Sequence, residues 1–100
     1  MVKKYPSHSA ALGWYGWALF RSDRHAHAGR AAELLDRAID LDPSDPQLHF
    51  FRGKVFAYEK NWKKAEQSFL QTLRLQANFA DATASLLEAR NWLKAGAPRP

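Results

Sequence analysis

Apolar residues recur along this chain at the spacing of helices that bury one face. In the first such stretch, Leu12, Tyr15, Gly16 and Leu19 follow the i, i+3, i+4, i+7 pattern. Equivalent patterns predict five helices in all. Helix one begins near Ser7 or Ser9, and helix two runs from about His27 or Arg30 to Leu41. Helices three, four and five cover about 46–59, 62–75 and 79–94. No stretch shows the alternation of a strand, so the pattern predicts an all-α protein.

Polar residues and prolines predict where these helices are interrupted. Asp42–Pro46 contains two prolines, which end a helix, while Asp45 and Pro46 suit the cap and first position of the next one. Polar residues over 21–29 predict a longer turn between helices one and two. Lys60 and Asn61 predict a short turn between helices three and four. Each connection is short, as in antiparallel helical hairpins.

The helices repeat with a period of 34 residues. Ala31, Leu35 and Leu41 recur at Ala65, Phe69 and Leu75. A period of this length indicates an array of repeated helical units rather than an enzyme built around one site.

The stretch from Leu48 to Ala77 resembles a tetratricopeptide repeat, a 34-residue unit with a Trp-x2-Leu-Gly-x2-Tyr half and an Ala-x3-Phe half. The matching positions are Gly53, Phe56, Trp62, Ala65 and Phe69. His49 and Arg52 stand where the family usually has Trp and Leu, and Ala77 replaces its terminal proline.

Residues 9–43 resemble a second copy of this repeat. Gly16 precedes Gly53 by 37 residues, whereas Ala31 precedes Ala65 by 34, so the first copy carries three extra residues near 23–29. A rival alignment places Trp14 and Ala18 on the family's Trp and small positions. The Gly16 alignment is preferred because it also matches Leu19 with Phe56.

The resemblance implies a superhelix of antiparallel helical hairpins with five helices. It divides the chain into a flexible lead-in (1–8), a first repeat (9–45), a second repeat (46–79), a capping helix (80–94) and a flexible tail (95–100). A lone final helix covers the open end of many such arrays.

Composition narrows the class of protein only slightly. The net charge is +5, without a block of consecutive like charges, and there is no cysteine for disulfides or thiolate zinc sites. No apolar run reaches the roughly 20 residues of a membrane span, and residues 1–6 lack a signal-type apolar stretch. We therefore expect a cytoplasmic protein with no membrane partner.

The family resemblance implies a non-catalytic module that binds a peptide or protein in a concave groove formed by the first helix of each repeat. The residues expected to bind the partner are Trp17, Phe20, Arg21, Phe50, Lys54, Tyr58 and Asn91. Gly13, Ala84 and Glu88 fall on other inner positions. An alternative interpretation places Trp17, Phe20 and Phe50 in the core. Lys54 and Asn91 are too few for the family's carboxylate clamp, so an apolar or aromatic-bearing segment is favoured.

The sequence offers no convincing catalytic, cofactor or metal site. His25 and His27 fit neither one helix face nor a metal motif, and Asp40, Asp42 and Asp45 are interrupted by prolines that a calcium loop does not contain. We expect no enzyme activity and no cofactor.

Two alternative functions remain open. Helix one is apolar on several faces, so Trp14 and Trp17 predict possible self-association, in a homo-oligomer or a larger scaffold. A basic edge beside Trp62 is a weaker hypothesis for single-stranded nucleic acid, through Arg21, Arg24, Arg30, Lys60, Lys63 and Lys64.

Overall fold

A computed structural model describes residues 6–96, with side chains from His8 onward. It contains the helices α1 (Pro6–Ser22), α2 (Arg24–Leu41), α3 (Pro46–Tyr58), α4 (Trp62–Leu75) and α5 (Ala80–Lys94). No strand occurs in the described part of the chain, which confirms the predicted all-α fold. The predicted flexible lead-in and tail fall mostly outside the described residues, although Pro6–His8 already belong to α1.

The helices pack in chain order as two antiparallel hairpins and a final helix. Hairpin one is α1 with α2, hairpin two is α3 with α4, and α5 packs on α4. Smaller contacts join α1 to α3 and α3 to α5, so these three helices line one side of the array. Within the described chain, no helix has the combination of length and hydrophobicity that a bilayer span requires.

The predicted turn over 21–29 is wrong, because the two helices of hairpin one are separated by Asp23 alone. Asp23 has an extended backbone, and its side chain accepts a hydrogen bond from the backbone N–H of Ala26, at 3.1 Å. This aspartate therefore caps α2 directly. Of the other polar residues that suggested a turn, His27 is a partly buried helix position and the rest are exposed helix positions, namely Arg21, Ser22, Arg24 and His25.

The other predicted boundaries agree within one or two residues, and the caps explain why. Asp45 accepts a hydrogen bond from the N–H of Gln47 (2.9 Å) and Pro46 opens α3. Asn61 accepts one from Lys64 (3.3 Å) at the start of α4. Capping residues of this kind are visible in a sequence, so these ends were predictable.

Two glycines mark where the helices of each hairpin approach most closely. A Cβ atom added at Gly53 would lie 2.5 Å from Phe69 in α4. One added at Gly16 would lie 3.1 Å from Leu34 and 3.3 Å from the carbonyl oxygen of Ala31 in α2. Gly16 and Gly53 thus have the same role, whereas Trp14 and Ala18 are exposed. The geometry favours the alignment of Gly16 with Gly53.

Candidate partner-binding groove

A groove runs along the side of the array formed by α1, α3 and α5. It consists of two adjoining cavities of about 380 and 460 Å³, both lined by Trp17, Lys54 and Glu88. The smaller cavity, here called the basic pocket, is completed by Phe20, Arg21, Arg24, Ala57, Tyr58 and Trp62. The larger one, here called the acidic pocket, is completed by Phe50, Asp81, Ala84 and Ser85.

Trp17 lies at the centre of the groove and is partly buried. Its ring stacks on Phe51, with a centroid distance of 4.4 Å and an interplanar angle of 8°, and it lies 5.6 Å from the ring of Phe20. One part of the side chain therefore joins the two hairpins, while the rest lines both pockets. Trp17 is both a packing residue and a groove residue.

Phe20 and Phe50 belong to the hydrophobic core, with exposed fractions of 3% and 8%. The ring of Phe50 lies 5.9 Å from Phe69 in its own hairpin and 5.0 Å from Phe79, just before α5. Its neighbour Phe51 points to hairpin one instead, against Trp14 and Trp17. The two adjacent aromatics thus serve different interfaces, and Phe50 contributes an edge of the groove floor.

The remaining residues expected in the groove are distributed unequally. Arg21, Lys54 and Tyr58 line the basic pocket, where the ring of Tyr58 meets Phe20 edge-on at 5.5 Å. Asn91 is exposed and lines neither pocket. Gly13 does not line the groove either, because it is buried where α1 meets Leu48.

The two pockets differ in charge. The basic pocket has three cationic side chains, Arg21, Arg24 and Lys54, and one carboxylate, Glu88. The acidic pocket has Lys54 against Asp81 and Glu88. The groove is therefore more positive at one end and more negative at the other.

Sequence reasoning did not assign Asp81 and Ser85 to the groove. Arg24 was expected with Arg21 beside Trp62 on a basic edge for nucleic acid, and the structure brings these three residues together in the basic pocket. Arg24 was predicted to lie in a turn, yet it is the first residue of α2 and its guanidinium lies 5.9 Å from the centre of the Phe20 ring. The three extra residues of hairpin one were the sequence signal that could have indicated a longer α2 beginning near Arg24. Asp81 and Ser85 required knowledge of how α5 lies against α3, which the sequence pattern does not supply.

Trp62 also lines the basic pocket, but it is only 8% exposed and stacks on Trp92 at 5.4 Å. Base stacking needs an accessible ring face. The nucleic-acid hypothesis therefore loses the aromatic platform on which it depended.

The described residues include no group of three or more His, Asp or Glu side chains that could hold a metal ion. The groove side chains instead offer apolar surface, ring faces and charges.

Comparison with known proteins agrees with this architecture. The general transcriptional corepressor trfA of Dictyostelium discoideum is 27% identical over 73 residues, which are 73% of this chain and 5% of that protein. The chain thus spans a small fraction of this relative's length. The sequence profile of the tetratricopeptide repeat matches residues 26–83, which is more than half of the chain. The match includes most of α2, all of hairpin two and the beginning of α5. The chain is a member of the tetratricopeptide repeat family.

Proposed function

We propose that this chain is a non-catalytic module that binds a segment of another protein in the groove between α1, α3 and α5. Repeats of this family generally mediate protein–protein interactions. The observation that carries the proposal is the central position of Trp17, which is partly exposed between two pockets and held in place by its stack on Phe51.

The chemistry of the groove suits a protein segment with apolar or aromatic side chains. Binding energy at protein interfaces concentrates in aromatic and arginine side chains that pack well and exclude water. Here Trp17 and Tyr58 present ring surface beside Arg21 and Lys54. Each pocket also lies within the roughly 300–1,000 Å³ typical of ligand sites.

Groove binding can be tested without disturbing the core by filling the groove from α5. Ala84 is exposed and lines the acidic pocket, whereas the neighbouring Thr83 is exposed and lines neither pocket. Ala84→Arg should block the groove, and Thr83→Arg is the matched control with the same added charge on the same helix.

The measurement is a peptide-display selection against the wild-type chain, followed by titration of the enriched peptides with both variants. We expect binding to the wild type and to Thr83→Arg, and at least about tenfold weaker binding to Ala84→Arg. Amide chemical shifts should change most around Trp17, Lys54 and Ser85. Equal binding to both variants, or shifts confined to α2 and α4, would contradict the proposal.

Self-association through α1 is the second candidate function. Ala11, Trp14, Tyr15 and Ala18 are exposed at the spacing of one helix face, and Trp14 and Tyr15 are 53% and 52% exposed. Trp17, which was expected to take part, points into the groove instead. Light scattering should show a dimer that Tyr15→Lys dissociates; a monomer at millimolar concentration would eliminate this candidate.

A further inference from the structure

We propose that the basic pocket selects a segment in which Asp or Glu residues stand directly beside an aromatic residue. This inference rests on the proposed groove-binding function and adds the chemistry of the partner. The aromatic side chain would lie against Trp17 and Tyr58, and the carboxylates would face Arg21, Arg24 and Lys54.

The three cations of the basic pocket are available to a ligand. Elsewhere in the described chain, Arg52 pairs with Asp36 and Arg90 pairs with Glu66 at 3.1 Å. No described carboxylate lies within 4.0 Å of a charged nitrogen of Arg21, Arg24 or Lys54. Most other cations of the described chain are also unpaired, but these three line one pocket that contains a single carboxylate, Glu88. Carboxylates of a partner would supply the counter-charge that these side chains lack within the described chain.

Two of these cations lie near aromatic rings of the groove, one in each pocket. The guanidinium of Arg24 lies 5.9 Å from the centre of the Phe20 ring, which lines the basic pocket. The ammonium of Lys54, which lines both pockets, lies 5.8 Å from the centre of the Phe50 ring in the acidic pocket. At these distances a cation is attracted to the ring face. The positive charges are therefore placed beside the surface that would receive an aromatic side chain.

The pocket wall also contains a hydrogen-bond donor without an acceptor. The indole Nε1 of Trp62 is buried and has no hydrogen-bond partner among the described residues. Buried donors are nearly always paired, so an unpaired one calls for an explanation. A carboxylate bound in the basic pocket, which Trp62 lines, is the acceptor that we propose for this N–H.

The far end of the groove limits where acidic residues can stand. Asp81 lines the acidic pocket, and Glu88 lies between the two pockets. A segment acidic along its whole length would bring like charges together there, which disfavours binding. The selected segment should therefore carry its acidic residues on one side of the aromatic residue only.

The test is a selection from a display library of amide-ended twelve-residue peptides with one fixed Trp and random flanks. Wild type should enrich Asp and Glu on one side of the Trp. Arg21→Gln/Arg24→Gln should lose this enrichment. The control Arg30→Gln/Arg37→Gln removes the same charge from exposed α2 positions outside the groove and should keep it.

The best-enriched acidic peptide and its Gln/Asn counterpart then give the affinity. The reference is the acidic peptide bound to the wild-type chain. We expect about tenfold weaker binding when the Gln/Asn counterpart replaces the acidic peptide, and also when Arg21→Gln/Arg24→Gln replaces the wild-type chain. The control variant should change affinity less than about twofold. Circular dichroism and urea titration of each variant separate these losses from unfolding.

Each outcome decides between the two proposals. If wild type enriches aromatic peptides without acidic flanks, the acidic preference is wrong while groove binding stands. The same conclusion follows if both double variants lose affinity equally, because the effect is then one of net charge. If no peptide is enriched, or if enriched peptides bind Ala84→Arg, Arg21→Gln/Arg24→Gln and wild type equally well, groove binding itself is wrong.

Discussion

The two hairpins have the same contact between their helices but connect the helices differently. From the contact glycine to the alanine of the next helix there are 15 positions in hairpin one (Gly16 to Ala31) and 12 in hairpin two (Gly53 to Ala65). Hairpin one has helices of 17 and 18 residues joined by Asp23 alone. Hairpin two has helices of 13 and 14 residues joined by residues 59–61.

The extra residues of hairpin one thus became helix rather than loop. This extends α2 by one turn at its beginning and places Arg24 beside the groove. Hairpin two has no residue equivalent to Arg24. The comparison teaches that an insertion can leave the contact between the helices of a repeat unchanged and still alter the charge of the groove beside it.

The largest expected effect on stability comes from a difference between α1 and α3, the first helices of the two hairpins. Alignment of the contact glycines places Phe50 opposite Gly13, so only hairpin two has a core aromatic there. Phe50→Ala should lower the free energy of unfolding by about 3–5 kcal/mol, because it leaves a cavity beside Phe69 and Phe79. Urea denaturation measures this.

Tyr58→Ala is the control for Phe50→Ala, because Tyr58 is 39% exposed and lines the same groove. It should cost about 1 kcal/mol. A Phe50→Ala variant as stable as the control would contradict the core role of Phe50.

The contact glycines provide the next largest effect. Alanine gains about 1 kcal/mol over glycine in a helix, but at position 53 the added methyl overlaps the buried Phe69 ring. Gly53→Ala should therefore be destabilised by about 1–2 kcal/mol overall. Gly16→Ala should stay within about 0.5 kcal/mol of wild type, since its contacts of 3.1 and 3.3 Å need only a small shift. Equal losses in urea denaturation would contradict the difference in packing.

Giving hairpin one the connection of hairpin two should have a smaller effect on stability. It also tests whether the charge of the groove can be changed without unfolding the hairpin. Replacing residues 22–27 by Glu-Lys-Asn, the sequence of residues 59–61, gives hairpin one the spacing of hairpin two. We expect a loss of about 1 kcal/mol, since Asn61 supplies a cap comparable to that of Asp23. The chimera should also bind acidic peptides more weakly, because Arg24 is removed. An unfolded chimera would show that hairpin one requires its longer helices.

The smallest expected effect on stability concerns the backbone of residues 59–61, which connect the helices of hairpin two. Lys60 has a positive φ of 62°, a conformation that glycine adopts without steric cost. Lys60→Gly should raise the free energy of unfolding by about 0.5 kcal/mol. Glycine relieves a left-handed backbone strain of about 1 kcal/mol, but it also increases the entropy of the unfolded chain, which offsets part of this gain. Glu59→Gly, at φ −80°, should instead be destabilising. A loss of stability in both variants would mean that the lysine is not strained.

The sequence predicted the fold well where local chemistry determines it. The helical spacing of apolar residues and the capping by side chains such as Asp45 and Asn61 depend on residues a few positions apart in the chain. The ends of α3 and α4 could therefore be predicted. The polar stretch 21–29 was misinterpreted because exposed helix positions and turns have similar composition. Only the cap at Asp23 distinguishes them.

The groove was less accessible to sequence reasoning because it depends on contacts between helices. The neighbours Phe50 and Phe51 look equivalent in the sequence, yet one packs on α4 and the other on α1. Arg24 was expected on a basic edge beside Trp62, but its place in the groove, like that of Asp81, depends on the packing of α2 and α5. Their contribution required the three-dimensional structure.

The position of α5 has a consequence for how binding and folding are linked. This helix lacks a side-chain cap at Phe79 and is held by contacts such as the Trp62–Trp92 stack. It also supplies Ala84, Ser85 and Glu88 to the acidic pocket, so this part of the groove exists only while α5 is docked. A bound segment should therefore slow amide hydrogen exchange in α5 in proportion to its affinity, because any ligand that binds only the docked form stabilises that form.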